Sequence, residues 1–177
     1  MKNLTVFCSS KNNLNPIYYE QAHKLISLLN TKNIKIVYGG GTTGIMGVVR
    51  KTFLDNNGKI ISSNLNKFVE PNIYDDYVFN NMDDRQKKLM DLGDAYLILP
   101  GGYGTHFEML EAMTNNDIGV SNKPIFMFNC NGIFDSLLVQ INKLTQEGFI
   151  TRDLNKINTY VMSNIDDLSN KINETLL

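Results

Sequence analysis

The chain has no tryptophan and only two cysteines, two histidines and four prolines in its 177 residues, and each shortage closes off a class of function. Two cysteines cannot build the disulfide framework that staples small secreted domains. Cys8 and Cys130 sit inside apolar runs and read as reduced core residues. His23 and His106 lack Cys, His or carboxylate partners at metal-ligand spacing, so no metal site is expected. An excess of charge is also missing. Seventeen Lys and Arg against 18 Asp and Glu leave a net charge of −1, and no global field draws the chain to nucleic acid or to an anionic membrane. Any bound anion has to be held by local geometry. No apolar run approaches the roughly 20 residues that cross a bilayer, and the apolar stretch after Met1 is too short for a signal peptide. The expectation is a soluble, cytoplasmic protein. The Walker A pattern and the Gly-x-Ser-x-Gly elbow are absent as well.

What is present is an ordinary globular balance, 42% apolar and 20% charged, long enough for one domain spanning 1–177. Short apolar runs alternate with amphipathic ones from end to end. Strands are expected over 4–8, 34–38, 59–62, 77–79, 95–99, 124–128 and 159–162. Helices are expected over 16–30, 43–56, 82–92, 103–116, 133–146 and 165–176. Residues 64–71 read as loop, and Asn57-Gly58 as the cap that closes the second helix. Apolar strands separated by helices with one buried face indicate a Rossmann-like α/β fold, a doubly wound parallel sheet covered on both sides.

In such sheets ligands bind beyond the carboxyl ends of the strands. Three expected strand ends carry unusual sequence: Cys8-Ser9-Ser10-Lys11, Gly39-Gly40-Gly41-Thr42-Thr43-Gly44, and Pro100-Gly101-Gly102-Tyr103-Gly104-Thr105. The third is a strand, then glycines, then a helix start, which gathers backbone N–H groups and the helix dipole at one point. Gly101, Gly102, Tyr103, Gly104 and Thr105 are therefore assigned to phosphate binding. Ser9, Gly40 and Gly41 are assigned to substrate contact. The run from Gly39 to Gly47 loosely resembles a dinucleotide fingerprint, but no acidic residue for a ribose follows the next strand, which weakens that reading. Close backbone approach to a small ligand, or helix–strand packing, remains for these glycines.

Glu108 lies three residues past Thr105 and projects near the phosphate loop, with Glu111 one turn later. A carboxylate there positions water or stabilises an oxocarbenium-like centre during glycosidic cleavage, or else is a glutamate held by the helix N-terminus. Arg85 belongs to a charged run, Asp83 to Lys88, whose default is a solvated helix face. From that helix start it can also reach the same sheet edge with a planar donor fork.

Together the run Gly39 to Gly47, the Met82-x-x-Arg85 pair and the block Pro100-Gly101-Gly102-Tyr103-Gly104-Thr105-x-x-Glu108 resemble the LONELY GUY (LOG) family of cytokinin-activating phosphoribohydrolases, whose members often carry an older "lysine decarboxylase" label. The resemblance implies hydrolysis of the N-glycosidic bond of an adenine-type nucleoside 5′-monophosphate, giving free base and ribose 5-phosphate. It implies Glu108 and Arg85 as catalytic residues, Thr114 near the substrate, no metal or redox cofactor, and a homodimer with active sites near the subunit interface. Two segments depart from the family pattern. Asp83 and Gln86 stand where a histidine and a lysine are usual, with Lys87 or Lys88 as possible replacements for the cation. Residues 64–68 lack the usual proline and acidic residue. A non-catalytic nucleotide sensor on the same scaffold is the competing expectation. Decarboxylation finds no lysine in a convincing pyridoxal-phosphate setting.

Overall fold

A computed structural model describes residues 1–71, 73 and 75–177. Seven strands form one parallel sheet in the order β4-β3-β2-β1-β5-β6-β7. They are β1 (Lys2–Phe7), β2 (Ile34–Tyr38), β3 (Lys59–Leu65), β4 (Tyr77–Phe79), β5 (Ala95–Ile98), β6 (Ile125–Phe128) and β7 (Thr159–Met162). Six helices connect or follow them: α1 (Pro16–Ser27), α2 (Gly44–Asp55), α3 (Met82–Leu92), α4 (Tyr103–Asp117), α5 (Asp135–Gln146) and α6 (Ile165–Thr175). The chain is thus a single Rossmann-like α/β domain. One core cluster packs α1, α2 and α6 on one face of the sheet, and a second packs α3 and α4 on the other. Both faces being covered is why the central strands are almost continuously apolar.

The sheet order sets the place of the site. The chain starts at β1, winds outward through β2, β3 and β4, then returns to pair β5 on the other side of β1. That reversal opens a crevice beyond the carboxyl ends of β1, β2 and β5, as expected for doubly wound sheets.

Local chemistry fixes the helix starts. Asn15, Asn81 and Asn164 each cap a helix by accepting a backbone N–H, and Pro16 takes the first position of α1. Asn12 Oδ1 accepts from Gly44 N at the start of α2 at 3.1 Å. Helix α4 starts at Gly102 with no side-chain cap, so its first N–H groups stay open.

Several expectations are corrected. Helix α1 ends at Ser27, not 30, and α5 begins at Asp135 after a 3-10 turn at Cys130–Gly132. The Asn57-Gly58 cap is present as expected, with Asn57 taking the left-handed turn after α2 at φ 58°. The largest difference is at β3, which runs on to Leu65 where loop was expected, followed by a 3-10 turn at Asn66–Phe68. Ser62, Ser63 and Asn64 are polar yet buried. Asp76 accepts from Ser62 N at 2.8 Å and Asp75 accepts from Asn64 Nδ2 at 3.0 Å. Hydrogen bonds, not hydrophobicity, keep this strand end inside.

Candidate active site

A cavity of about 490 Å³ occupies the crevice. On the β1–β5 side it is lined by Ser9, Ser10 and Lys11 and by Gly102, Tyr103, Gly104 and Thr105. Ser9 N donates to Pro100 O at 3.1 Å and Met46 N donates to Ser9 O at 3.1 Å, tying the three strand-end loops together. On the β3–β4 side the lining turns apolar, with Met46, Leu65, Phe68 and Met82.

The phosphate-type loop is built by steric necessity. A Cβ on Gly101 would lie 2.0 Å from Thr105 Oγ1 and 2.5 Å from its Cβ, so only glycine lets the buried threonine close over the loop. Gly101 is therefore a packing position and does not itself line the cavity, whereas the four residues after it do. His106 donates its N–H to Gly102 O at 3.0 Å as the first turn closes. The N–H groups of the preceding helical residues have no intrahelical acceptor, and with the helix dipole they make an electropositive helix start beside the cavity.

The glycine run divides its labour. A Cβ on Gly44 or Gly47 would run into the backbone of Ser10 and Lys11 or of Thr42, so these two serve packing. Gly40 turns at φ +87° against Asn64 and stays outside the lining, while Gly41 lines the cavity. A Cβ on Gly39 would meet Arg85 Nη2 at 2.3 Å. Gly39 exists to admit the arginine.

Arg85 does not lie on a solvated face. It is 7% exposed and each nitrogen of its fork is engaged. Nε donates to Ser63 O at 3.0 Å, Nη2 to Gly39 O at 3.4 Å, and Nη1 to Glu108 Oε1 at 3.4 Å. Two strand ends thus aim it at Glu108, itself 5% exposed. The ion pair is longer than the 2.7–2.9 Å of a close charge-assisted bond. Burial outweighs the nearby guanidinium and, with Glu111 adding to it, raises the Glu108 carboxyl from its ordinary 4.5 to about 7. Cys8 lines the floor, and burial pushes its thiol up. Both Cys8 and Cys130 are free and buried.

Placing alanine at Gly39 tests the arrangement. A crystal structure of Gly39→Ala should show the fold retained and the Arg85 guanidinium displaced from Gly39 O and Glu108. An unmoved arginine would refute this account of the glycine.

Thr114 does not join the other residues. It lies six residues past Glu108, about 600° around the helix, and sits exposed on the outer face of α4. Neither Lys87 nor Lys88 lines the cavity in place of a family cation; Lys88 Nζ lies over the Tyr77 ring. Gln86 instead donates to Glu111 Oε2 at 2.7 Å. Sequence reasoning missed Glu70, an acidic residue just past the segment where one was sought. It lines the cavity and accepts from Thr42 Oγ1 at 2.6 and 2.7 Å. Its neighbours Val69 and Pro71 gave no periodic signal.

Residues 35–172 match the family model described as "Possible lysine decarboxylase". Among curated relatives, the cytokinin riboside 5′-monophosphate phosphoribohydrolase LOG2 of Arabidopsis thaliana is 33% identical over 88% of this chain and 76% of its own length. LOG7 of the same plant is 35% identical over 85% of this chain and 71% of its own. The chain belongs to the LOG family. Among solved structures, the molybdenum cofactor binding protein of Rippkaea orientalis superposes with a TM-score of 0.70 over 100% of this chain and 99% of that one, at 14% identity. The Moco carrier protein of Chlamydomonas reinhardtii gives 0.68 at 14% identity, over 99% and 98%. At that identity the likeness shows the fold that this LOG chain shares, not its chemistry. No helix among the described residues is long and apolar enough to cross a membrane.

Proposed function

We propose that this LOG chain hydrolyses the N-glycosidic bond of an adenine-type nucleoside 5′-monophosphate, releasing free base and ribose 5-phosphate. The observation that carries the reading is the buried Arg85–Glu108 pair, set at the edge of an open, uncapped helix start suited to an anion. The relatives' names point to the same reaction. The 5′-phosphate sits on the N–H groups of Gly102, Tyr103, Gly104 and Thr105, with the Ser9 and Lys11 side reinforcing it. The sugar then spans the middle of the cavity, and the base lies toward Met46, Leu65, Phe68 and Met82. Glu108 acts as general base. A carboxyl titrating near neutrality both takes a proton from water and, ionised, faces the positive charge that grows on the ribosyl carbon. Arg85 holds that carboxylate in place.

Incubation with AMP and with cytokinin nucleotides, followed by assay of free base, tests the proposal. Binding without release would instead favour the sensor.

Assembly and location extend the same reading. Tyr103, Phe107, Leu110 and Ile118 form an exposed apolar line along α4, of the kind that marks a protein contact. A second copy of the chain covers it, with Thr114 within the line and so close to the seam between subunits. Light scattering should give about twice the 20.1 kDa chain mass, and Phe107→Asp with Leu110→Asp should return the monomer. A wild-type monomer would remove this part of the proposal. The free, buried cysteines suit a reducing compartment such as the cytoplasm.

A further inference from the structure

Glu108 sits in a cluster of unbalanced charge. From α3, Arg85 supplies one cation at 3.4 Å. From α4 itself, Glu111 supplies a second carboxylate one turn on, which raises the proton affinity of Glu108. Cys8, at the end of β1, is a buried thiol, and Glu70 and exposed Lys11 line the same cavity. Glu111 is not neutralised by any of these. Its hydrogen-bond partner is Gln86 Nε2 at 2.7 Å, an uncharged amide from the turn of α3 that carries Arg85. With both glutamates ionised, the group Arg85, Glu108 and Glu111 has one negative charge in excess, and a proton on Glu108 removes it.

The other end of the amide adds a second observation. Gln86 Oε1 is buried with no hydrogen-bond partner among the described residues. An orphaned buried acceptor carries a desolvation cost. An apolar side chain of similar size would fill the α3–α4 contact without it. The amide is therefore explained by what it does to Glu111 and not by packing.

We propose that Gln86 is a positioning residue for Glu108, acting through Glu111: its neutral amide fixes the second carboxylate beside the first without cancelling that carboxylate's charge. The arrangement keeps Glu108 a strong enough base to take a proton from water. This rests on the reading of Glu108 as the general base.

The test is the titration of the Glu108 carboxyl carbon by NMR on the intact protein, beside the pH profile of base release. Gln86→Lys brings a cation to Glu111, and the Glu108 midpoint should fall by about one pH unit. The acid limb of kcat should move with it. Glu111→Gln removes the carboxylate with little change of shape, should shift the midpoint in the same direction, and keeps the test open if Gln86→Lys does not fold. A Gln86 that only packs would change the melting temperature and leave the midpoint in place, which overturns the proposal. A midpoint that moves in a protein releasing no base would uphold the coupling of Gln86 and Glu111 to Glu108 and reject the proposed reaction. Base release with an immobile midpoint would do the reverse.

Discussion

Replacing Glu108 with glutamine should lower base release from AMP by roughly a thousand-fold, the range expected when a positioned general base is lost, while the nucleotide still binds. The amide keeps the shape of the carboxyl but takes no proton, and the buried Arg85 then faces a neutral partner. Wild-type activity should rise with pH through about 7, because only the ionised carboxylate is the base and burial has lifted it there. The sign of the stability effect is opposite. A carboxyl whose proton affinity is raised by folding binds more protons in the native state than in the unfolded chain. Its contribution is present in full below 4.5 and is lost as the pH rises through about 7. Denaturant titrations should show the wild type losing roughly 3 kcal/mol relative to Glu108→Gln across that window. A pH-independent difference between the two, or a variant that still releases base at the wild-type rate, would reject the role given to Glu108.

Gly101→Ala is the second substitution with a large expected effect. The added methyl would overlap Thr105 Oγ1 at 2.0 Å and Thr105 Cβ at 2.5 Å, so the loop and the first turn of α4 must separate. The N–H groups that point together at one spot would then diverge. Nucleotide affinity should fall by about 100-fold, which is about 2.7 kcal/mol, as measured by calorimetry with AMP. Adenosine, which lacks the phosphate, should bind the variant and the wild type alike. Equal AMP affinity in the two proteins would show that the phosphate is held elsewhere.

Much of this arrangement was legible in the sequence, and the failures share a cause. Strands β2, β4 and β7 and helix α3 fall where apolar spacing puts them, because burial against the sheet makes the pattern. The phosphate-type loop was legible too, since glycines between a strand and a helix leave few alternatives. The end of β3 was not: the strand was expected to stop at Ser62 and Asn64 read as loop, and only Asp75 and Asp76, more than ten residues on, make the burial of this polar end tolerable. The surroundings of Arg85 read as a solvated face by default, and only the family resemblance put it at the site, because its partners are carbonyls of residues 39 and 63, brought close only by the sheet. Gly39, Gly40, Gly44 and Gly47 looked like one motif, and the structure gives them separate tasks. Glu70 was invisible, since what places it is a hydrogen bond to Thr42, 28 residues away. Polar residues whose burial depends on distant partners leave no period behind.

The return of the chain across β1 also dictates when the site comes into being. Gly39, Ser63 and Arg85 all precede β5, and Glu108 follows it, so a nascent chain that has made only its first four strands holds the arginine without its carboxylate. Pairing of Leu4 through Phe7 with Ala95 through Ile98 joins residues more than 90 positions apart, the kind of distant closure that comes late because loop entropy opposes it. Until that seam zips shut, the glycine-rich turn after β5 has no floor beneath it. A chain cut before β5 should therefore carry Arg85 without Glu108 and be silent rather than partly active.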